Sequence, residues 1–251
     1  MKRILITGGP TNEYIDEVMK ITNMSTGSFS IALANEFLDN GYEVCLILNR
    51  GVSTHKLKDD PKLKIVPVET TDDMLYEIKE ESQINSYDAL IHAAAVGDYK
   101  ADFTFLMEDL AEEIFGNIEE IDSPQDIYDI LVNPKCKIDN SSKISSYQSD
   151  LTVKLALTPK IIKNLREWFP DTLIIGCKLL ENVSKDELIS VAQKLCVKNS
   201  VDYIMANDLA DLRNGLMTRY LVSKDGYTNI NLEDANAVVK IVNDNLQEKE
   251  C

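Results

Sequence analysis

The sequence predicts an α/β protein: a Rossmann-like, mainly parallel sheet flanked by helices, with a C-terminal hairpin and an acidic helical insertion. Three observations carry this prediction. Short apolar runs alternate with helical patterns along most of the chain, as parallel βαβ units require. The first run leads into a glycine turn, Gly8-Gly9, and later a helix. One segment, about 102–134, breaks the alternation with ten acidic residues and no Lys or Arg.

Taken in order, "RILIT" (3–7) reads as the first strand. "FSIALANEFLDNG" (29–41) reads as a helix closed by Gly41. "EVCLILN" (43–49) is the second strand, and "KIVPVE" (64–69) a third, placed at an edge by Pro67. "TDDMLYEIKEES" (71–82) is a helix with acids in its first turn, where the helix dipole favours them. "DALIHAAAV" (88–96) is a buried strand. In 102–134 the spacing of Leu106, Leu110, Ile114 and Ile118 suggests helix, either as a solvated insertion or as a partner or lid surface. Then follow strand "LTVKLAL" (151–157), helix "TPKIIKNLREWF" (158–169), strand "TLIIGCKL" (172–179), helix "SKDELISVAQKLCVKN" (184–199) and strand "VDYIMAND" (201–208). "YLVSKDGYTNINL" (220–232) is a hairpin turning at Asp225-Gly226, and a last helix begins at about Glu233. A chain of 251 residues suits one α/β domain, 1–251.

Composition narrows the function. Hydrophobic residues make up 44% and the net charge is −16, so nucleic acid and anionic membranes are disfavoured as partners. No apolar run reaches the roughly 18 residues of a membrane span, and "MKRILIT" carries no signal-peptide pattern, which leads us to expect a cytoplasmic protein. The five cysteines follow no CxxC spacing and read as reduced thiols; His55 and His92 are too few for a histidine metal site.

Ligands of a parallel sheet sit at the carboxyl ends of its strands, so chemistry is sought just after each strand. Gly8-Gly9-Pro10 lacks the GxGxxG spacing of a dinucleotide site, and "LNRG" offers Arg50 but no acid for a ribose. In "NMSTGSFS", Ser25, Thr26 and Gly27 precede a helix, where they either cap it or help bind an anion. "AAAVGDYK" ends a strand in Ala94 and Ala95 and then Asp98, which either caps a turn or helps hold Mg²⁺ against phosphates. Lys143 lies in the polar loop "SSKISS". Lys194 and Lys198 share one helix face as a phosphate clamp or as ordinary solvated charge, ahead of a strand ending in Asn207-Asp208.

In this order the stretches "ITGGPTNEYID", "ITNMSTG", "AAAVGDY", "KIS", "LTVKLALTPKII", "IIGCKLLE" and "KLCVKNSVDYIMAND" resemble the phosphopantothenate–cysteine ligases of coenzyme A biosynthesis in their free-standing bacterial form. They span residues 6–208, and the wording is most like the streptococcal and enterococcal type. The resemblance implies a homodimer that joins 4′-phosphopantothenate to L-cysteine through an acyl-cytidylate, with CTP as a substrate and Mg²⁺ as its ion. It implies that Asn23 and Lys143 are catalytic. Gly9, Ala94, Ala95, Asp98, Lys143, Gly176, Cys177, Lys194 and Lys198 would bind nucleotide, with Asp98 also on the metal. Asn23, Ser25, Thr26, Gly27 and Asn207 would bind the acyl substrate. The chain departs from the pattern at Met19 (arginine in the family, with Lys20 adjacent here), Glu17 (proline), Ser30 (glycine) and Cys177 (an aromatic). Two other readings are an NADP-dependent short-chain reductase, whose YxxxK spacing occurs here only as Tyr220 and Lys224 in the expected hairpin, and a divergent non-enzymatic nucleotide-binding protein.

Overall fold

Residues 2–248 are described in a computed structural model. Along the chain run β1 (Arg3–Gly8), β2 (Asn12–Tyr14), β3 (Lys20–Thr22), α1 (Ser28–Asp39), β4 (Glu43–Asn49), β5 (Leu63–Val68), α2 (Thr71–Ile84) and β6 (Ala89–His92). Next come β7 (Tyr99–Leu106), α3 (Met107–Gly116), α4 (Pro124–Val132), β8 (Leu151–Leu157), α5 (Leu165–Trp168) and β9 (Leu173–Leu180). The chain continues through α6 (Lys185–Asn199), β10 (Tyr203–Asp208), α7 (Leu209–Arg213), β11 (Arg219–Ser223), β12 (Gly226–Leu232) and α8 (Ala235–Glu248). The described residues fall into two compact units, one of 2–11, 23–96 and 159–248, the other of 12–22 and 97–158.

The first unit is the Rossmann-like body. Its eight-stranded sheet has the order β12-β11-β10-β9-β6-β1-β4-β5. The strands from β10 to β5 are mutually parallel, and β11 runs antiparallel to both of its neighbours, β10 and β12. The fold class read from the sequence is therefore the one observed. Strands β1, β4, β6 and β9 are nearly continuous Val, Ile and Leu because both faces are covered. One face packs on α1 and α8, whose buried Leu33, Phe37, Val238 and Val242 join Ile4, Leu46 and Ile91. The other packs on α2, α5 and α6 through Met74, Ile78, Leu165, Leu188 and Cys196. Helix α2 starts at a capping box: Thr70 Oγ1 accepts the Asp73 N–H, and the Asp73 carboxylate accepts the Thr70 N–H. Pro67 lies in β5, the edge strand, as its missing N–H requires. The opposite edge, β12, is interrupted at Asn229, whose φ is +63°.

Three expected elements differ. The run 88–96 leaves regular strand after His92. The helix expected over 158–169 is a 3₁₀ turn at Ile161–Lys163 followed by the four residues of α5. Arg166 fixes the chain after α5: its guanidinium donates to the carbonyls of Phe169, Pro170, Thr172 and Ser200 and pairs with Asp202. "LTVKLAL" forms β8 outside the main sheet, in a two-stranded antiparallel ribbon with β7.

The second unit holds that ribbon, the short β2–β3 hairpin, α3 and α4. The acidic segment is not helical throughout, because 102–106 belongs to β7. There Phe103 and Phe105 turn inward onto Leu110 of α3, forming a small core with Ile114 and Ile130. The ammonium groups of Lys137 and Lys154 stand 4.6 and 4.9 Å from the Phe103 ring centroid. Helix α4 begins at Ser123, whose N–H and hydroxyl both donate to Asp126 at 2.8 Å.

Candidate functional site

The strand order reverses between β1 and β6, because β4 and β5 extend the sheet one way and β9 and β10 the other. A ligand crevice is expected there, outside the carboxyl ends of the strands. The backbone around it is built by close approach. Gly8 has no room for a side chain: a Cβ would fall 2.0 Å from Ser30 Oγ. Ser30 is buried and its hydroxyl donates to Gly27 O at 2.7 Å, so the serine that replaces the expected glycine is locked against the turn. Gly9 and Gly27 both adopt positive φ, and a Cβ on Gly27 would meet Gly9 Cα at 3.3 Å.

The stretch after β6 lies along this turn. Ala93 N–H donates to Thr7 O at 3.2 Å and Ala95 N–H to Gly9 O at 2.9 Å. Asn23 straps the arrangement: its Nδ2 donates to Ala95 O at 3.1 Å and Val96 O at 3.0 Å. The structure thus gathers Gly9, Asn23, Gly27, Ala94 and Ala95 at the switch point. With both amide hydrogens on backbone carbonyls, Asn23 must release one before it can donate to anything else. Ser25 Oγ and Thr26 Oγ1 accept Gly27 N–H and Ser28 N–H at 3.4 Å, the Thr26 hydroxyl donates to Ser28 Oγ at 3.0 Å, and the N-cap of α1 is Gly27, which has no side chain to cap it. No side chain at the N-cap position closes α1, and of its first N–H groups only that of Ser28 reaches a side-chain oxygen, at the long distance of 3.4 Å.

Beneath the crevice, His92 ends β6 with 8% exposure, and its Nδ1 lies 2.8 Å from Thr7 Oγ1. Thr7 Oγ1 also accepts Ala94 N–H at 3.3 Å. Burial lowers the imidazole pKa to about 4, so the ring is neutral near pH 7. Sequence reasoning considered His92 only as a metal ligand and missed this support.

The other expected residues of the first unit are spread along the sheet. The space beside Gly176 is filled by Ile204 and Ile162, whose Cδ1 atoms would lie 2.8 and 3.1 Å from a Cβ there. Cys177 is partly buried, and burial pushes its thiol up to about 12. Asn207 and Asp208 part company. The Asp208 carboxylate accepts the N–H groups of Asn182, Val183 and Ala210, which hold its pKa below the usual range, whereas the Asn207 side chain makes no hydrogen bond among the described residues. Lys194 and Lys198 are exposed in the second half of α6, which runs toward the amino ends of the strands, so the chain does not bring them to Gly9 or Ala95. Arg50 pairs with Glu69 at 3.3 Å. Tyr220 lies on β11 and Lys224 in the turn after it, not on a helix as a YxxxK pair requires.

In the second unit Lys143 is exposed on a loop that is pinned to the β2–β3 hairpin. The Asp16 carboxylate accepts Ile144 N–H at 2.9 Å, Met19 N–H at 2.6 Å and Val18 N–H at 2.7 Å. Those bonds hold its pKa below the usual carboxylate range, with Lys143 adding a smaller pull. Asn140 Nδ2 donates to Ile15 O at 2.9 Å. Asp16 closes the stretch "ITGGPTNEYID" but was given no site role in the sequence reading, because its partner Ile144 is far away in the chain. Asp98 is exposed at a turn fixed by Thr158, whose N–H donates to Asp98 O at 3.1 Å and whose hydroxyl donates to Gly97 O. Among the described residues no group of three His, Cys, Asp or Glu could hold a metal ion. A single carboxylate fits a hard cation carried mainly by phosphate oxygens, as Mg²⁺ is, and not a resident metal centre. Cys45, Cys136, Cys177 and Cys196 are free thiols, and Cys251 lies outside the described residues. Burial raises Cys45 to about 11 and Cys196 to about 12, so neither is a nucleophile near pH 7. No helix among the described residues is long and apolar enough to cross a membrane.

Comparison with known proteins gives a consistent answer. Residues 1–105 match the DNA/pantothenate metabolism flavoprotein C-terminal domain. The crystal structure of the DNA/pantothenate metabolism flavoprotein from Streptococcus pneumoniae superposes with a TM-score of 0.77 and 30% identity, over 99% of this chain and 100% of that one. The coenzyme A biosynthesis bifunctional protein CoaBC of Thermococcus kodakarensis is 31% identical over 208 residues, 83% of this chain and 41% of that protein. The protein of the same name from Methanocaldococcus jannaschii is 28% identical over 229 residues, 88% of this chain and 46% of its own length. The chain thus spans less than half the length of these two relatives.

Proposed function

Because the chain belongs to the family of the DNA/pantothenate metabolism flavoprotein C-terminal domain, we propose that it is a phosphopantothenate–cysteine ligase acting in coenzyme A biosynthesis. The observation that carries the reading is the strap at the switch point. A dinucleotide site would pass from the glycine turn directly into the helix. Here Asn23 instead holds residues 95 and 96 beside Gly9 and an uncapped helix start. The names of the CoaBC relatives support the pathway.

In the proposed reaction the carboxylate of 4′-phosphopantothenate attacks the α-phosphorus of CTP. A P–O bond forms, the bond to the β-phosphate breaks, and pyrophosphate leaves. The acyl carbon, now bearing a good leaving group, is attacked by the cysteine amine, and the tetrahedral oxyanion collapses with loss of CMP. Lys143 supplies charge to the triphosphate in the first half. Asn23 releases one backbone carbonyl and donates to the oxyanion in the second, a contribution on the order of 10² to 10³ in rate. The backbone at Gly9, Ala94 and Ala95 borders the nucleotide, and Ser25, Thr26 and Gly27 the acyl substrate. Asp98 would hold Mg²⁺, which when bound shields the charge of the phosphates. We read the enzyme as a cytoplasmic homodimer, in which Lys194 and Lys198 would meet the nucleotide only if a second copy brings them to it.

The test is pyrophosphate release with 4′-phosphopantothenate and Mg²⁺, with CTP or ATP, with and without L-cysteine. Release that becomes catalytic on adding cysteine, with CTP preferred, is the expected result. Folded protein that releases none with either nucleotide would overturn the ligase reading.

A further inference from the structure

Arg219 opens β11 directly across from Asn207, since the antiparallel register pairs Ala206 with Tyr220. The two side chains therefore share a face of the sheet. Cys177, paired with Met205, lies on that face as well. Arg219 is 7% exposed and Asn207 9%. The guanidinium carbon is 3.8 Å from the Phe29 ring centroid, so the arginine reaches from β11 to the first turn of α1. Its Nη1 donates to Met217 O at 3.1 Å. Among the described residues no carboxylate pairs with it and nothing bonds the Asn207 amide.

A buried cation without a counter-charge is costly, and stacking on one aromatic ring offsets only part of that cost. The unused nitrogens are not sealed in: among the described residues, Thr104 Oγ1 alone is a fully buried side-chain polar atom without a partner. The open edge of the guanidinium, the Asn207 amide and the uncapped first turn of α1 thus present donors at one end of the sheet. A planar guanidinium with free N–H groups matches an oxyanion bidentately.

We propose that Arg219, with Asn207 beside it, is an anion-binding residue that takes a substrate phosphate at the start of α1. The proposal deepens the ligase reading and rests on it for the source of the phosphate, since both 4′-phosphopantothenate and CTP carry one. A clasp that merely holds Phe29 would behave differently, and the test separates the two.

The full chain is titrated with inorganic phosphate and pyrophosphate at ionic strength held constant with chloride, while the Arg219 Nε–H resonance is followed by NMR. A saturable shift of that resonance is expected. Arg219→Met should weaken phosphate binding at least tenfold by calorimetry, with no loss of melting temperature when phosphate is absent. Arg219→Lys, which keeps the charge but not the fork, should bind with intermediate affinity and covers the case in which the methionine variant does not fold. An unmoved Arg219 resonance, undiminished phosphate binding by both variants, or an equal fall in melting temperature with and without phosphate would overturn the proposal. Separate titrations with CTP and 4′-phosphopantothenate identify the source as the one whose affinity falls tenfold in the variant; if neither falls, the proposal fails. Inorganic phosphate on Arg219 in a protein that shows no ligation would leave this site standing and sink only the ligase reading.

Discussion

Protonation of His92 should cost stability in a pH range where few other groups act. The ring lies at the end of β6, between β1 and β9. Thr7 Oγ1 accepts the Ala94 N–H and lies 2.8 Å from His92 Nδ1, and among the described residues this hydroxyl is the side-chain partner the ring has, with no carboxylate to balance an imidazolium. Burial holds the folded pKa near 4 against 6.5 for a free imidazole. Between those values the unfolded chain binds a proton that the native chain refuses, so stability falls as pH falls. The loss is about 1.4 kcal/mol at pH 5.5, about 2 kcal/mol at pH 5 and about 3 kcal/mol by pH 4. The assay is urea unfolding at pH 7.5, 6.5, 5.5 and 5 for the native sequence and for His92→Gln. The glutamine variant starts from its own stability at pH 7.5 but should lose about 2 kcal/mol less on going to pH 5. Carboxylates held low by hydrogen bonds, such as Asp16 and Asp208, are common to both proteins and cancel in the difference. Parallel curves for the two proteins would refute the reasoning. Because the Thr7 hydroxyl also holds Ala94, ligand affinity at the switch point should weaken over the same pH range.

Three further outcomes can be checked. Asn23→Ala should still release pyrophosphate in a single turnover but stall before ligation, whereas Lys143→Ala should block pyrophosphate release itself; a stall of both at the first step would show that the division of roles is wrong. Gly8→Ala should lower stability by about 1–3 kcal/mol through overpacking against Ser30, and Ser30→Gly in the same chain should recover most of it in a chemical-denaturation double-mutant cycle. Asp16→Ala removes the acceptor of three backbone N–H groups, so hydrogen exchange at the Ile144 amide should accelerate and pyrophosphate release should slow, with the melting of the Rossmann-like body unchanged; unaltered exchange at Ile144 would deny that Asp16 pins the loop.

The Rossmann-like body was legible because parallel strands covered on both faces leave continuous apolar runs, and because Pro67 and Asp225-Gly226 mark an edge and a turn by backbone chemistry alone. The ribbon was not. "YKADFTFL" begins the acidic segment, and its register shifts between Ala101 and Phe103, so the alternation a strand should show is broken where it would be read. The helix over 158–169 had the right periodicity but is regular only as a 3₁₀ turn at Ile161–Lys163 and the short α5, after which Arg166 holds the carbonyls of Phe169, Pro170 and Thr172. At the candidate site, the residues brought together at the switch point all follow strands or precede a helix, positions a sequence pattern reveals. Asp16, His92 and Arg219 matter through long-range partners, at Ile144, Thr7 and Phe29, which no local spacing encodes.

Both flanks of the eight-stranded sheet are spoiled as templates. On one side the proline of β5 withholds a donor near the strand's carboxyl end; on the other, the left-handed Asn229 interrupts β12. A neighbouring chain that docked edge to edge would find its hydrogen-bond run cut short on either side. The molecule can therefore be concentrated without its most hydrophobic layer recruiting copies into a continuous fibre, and self-association is left to surfaces other than the sheet margins.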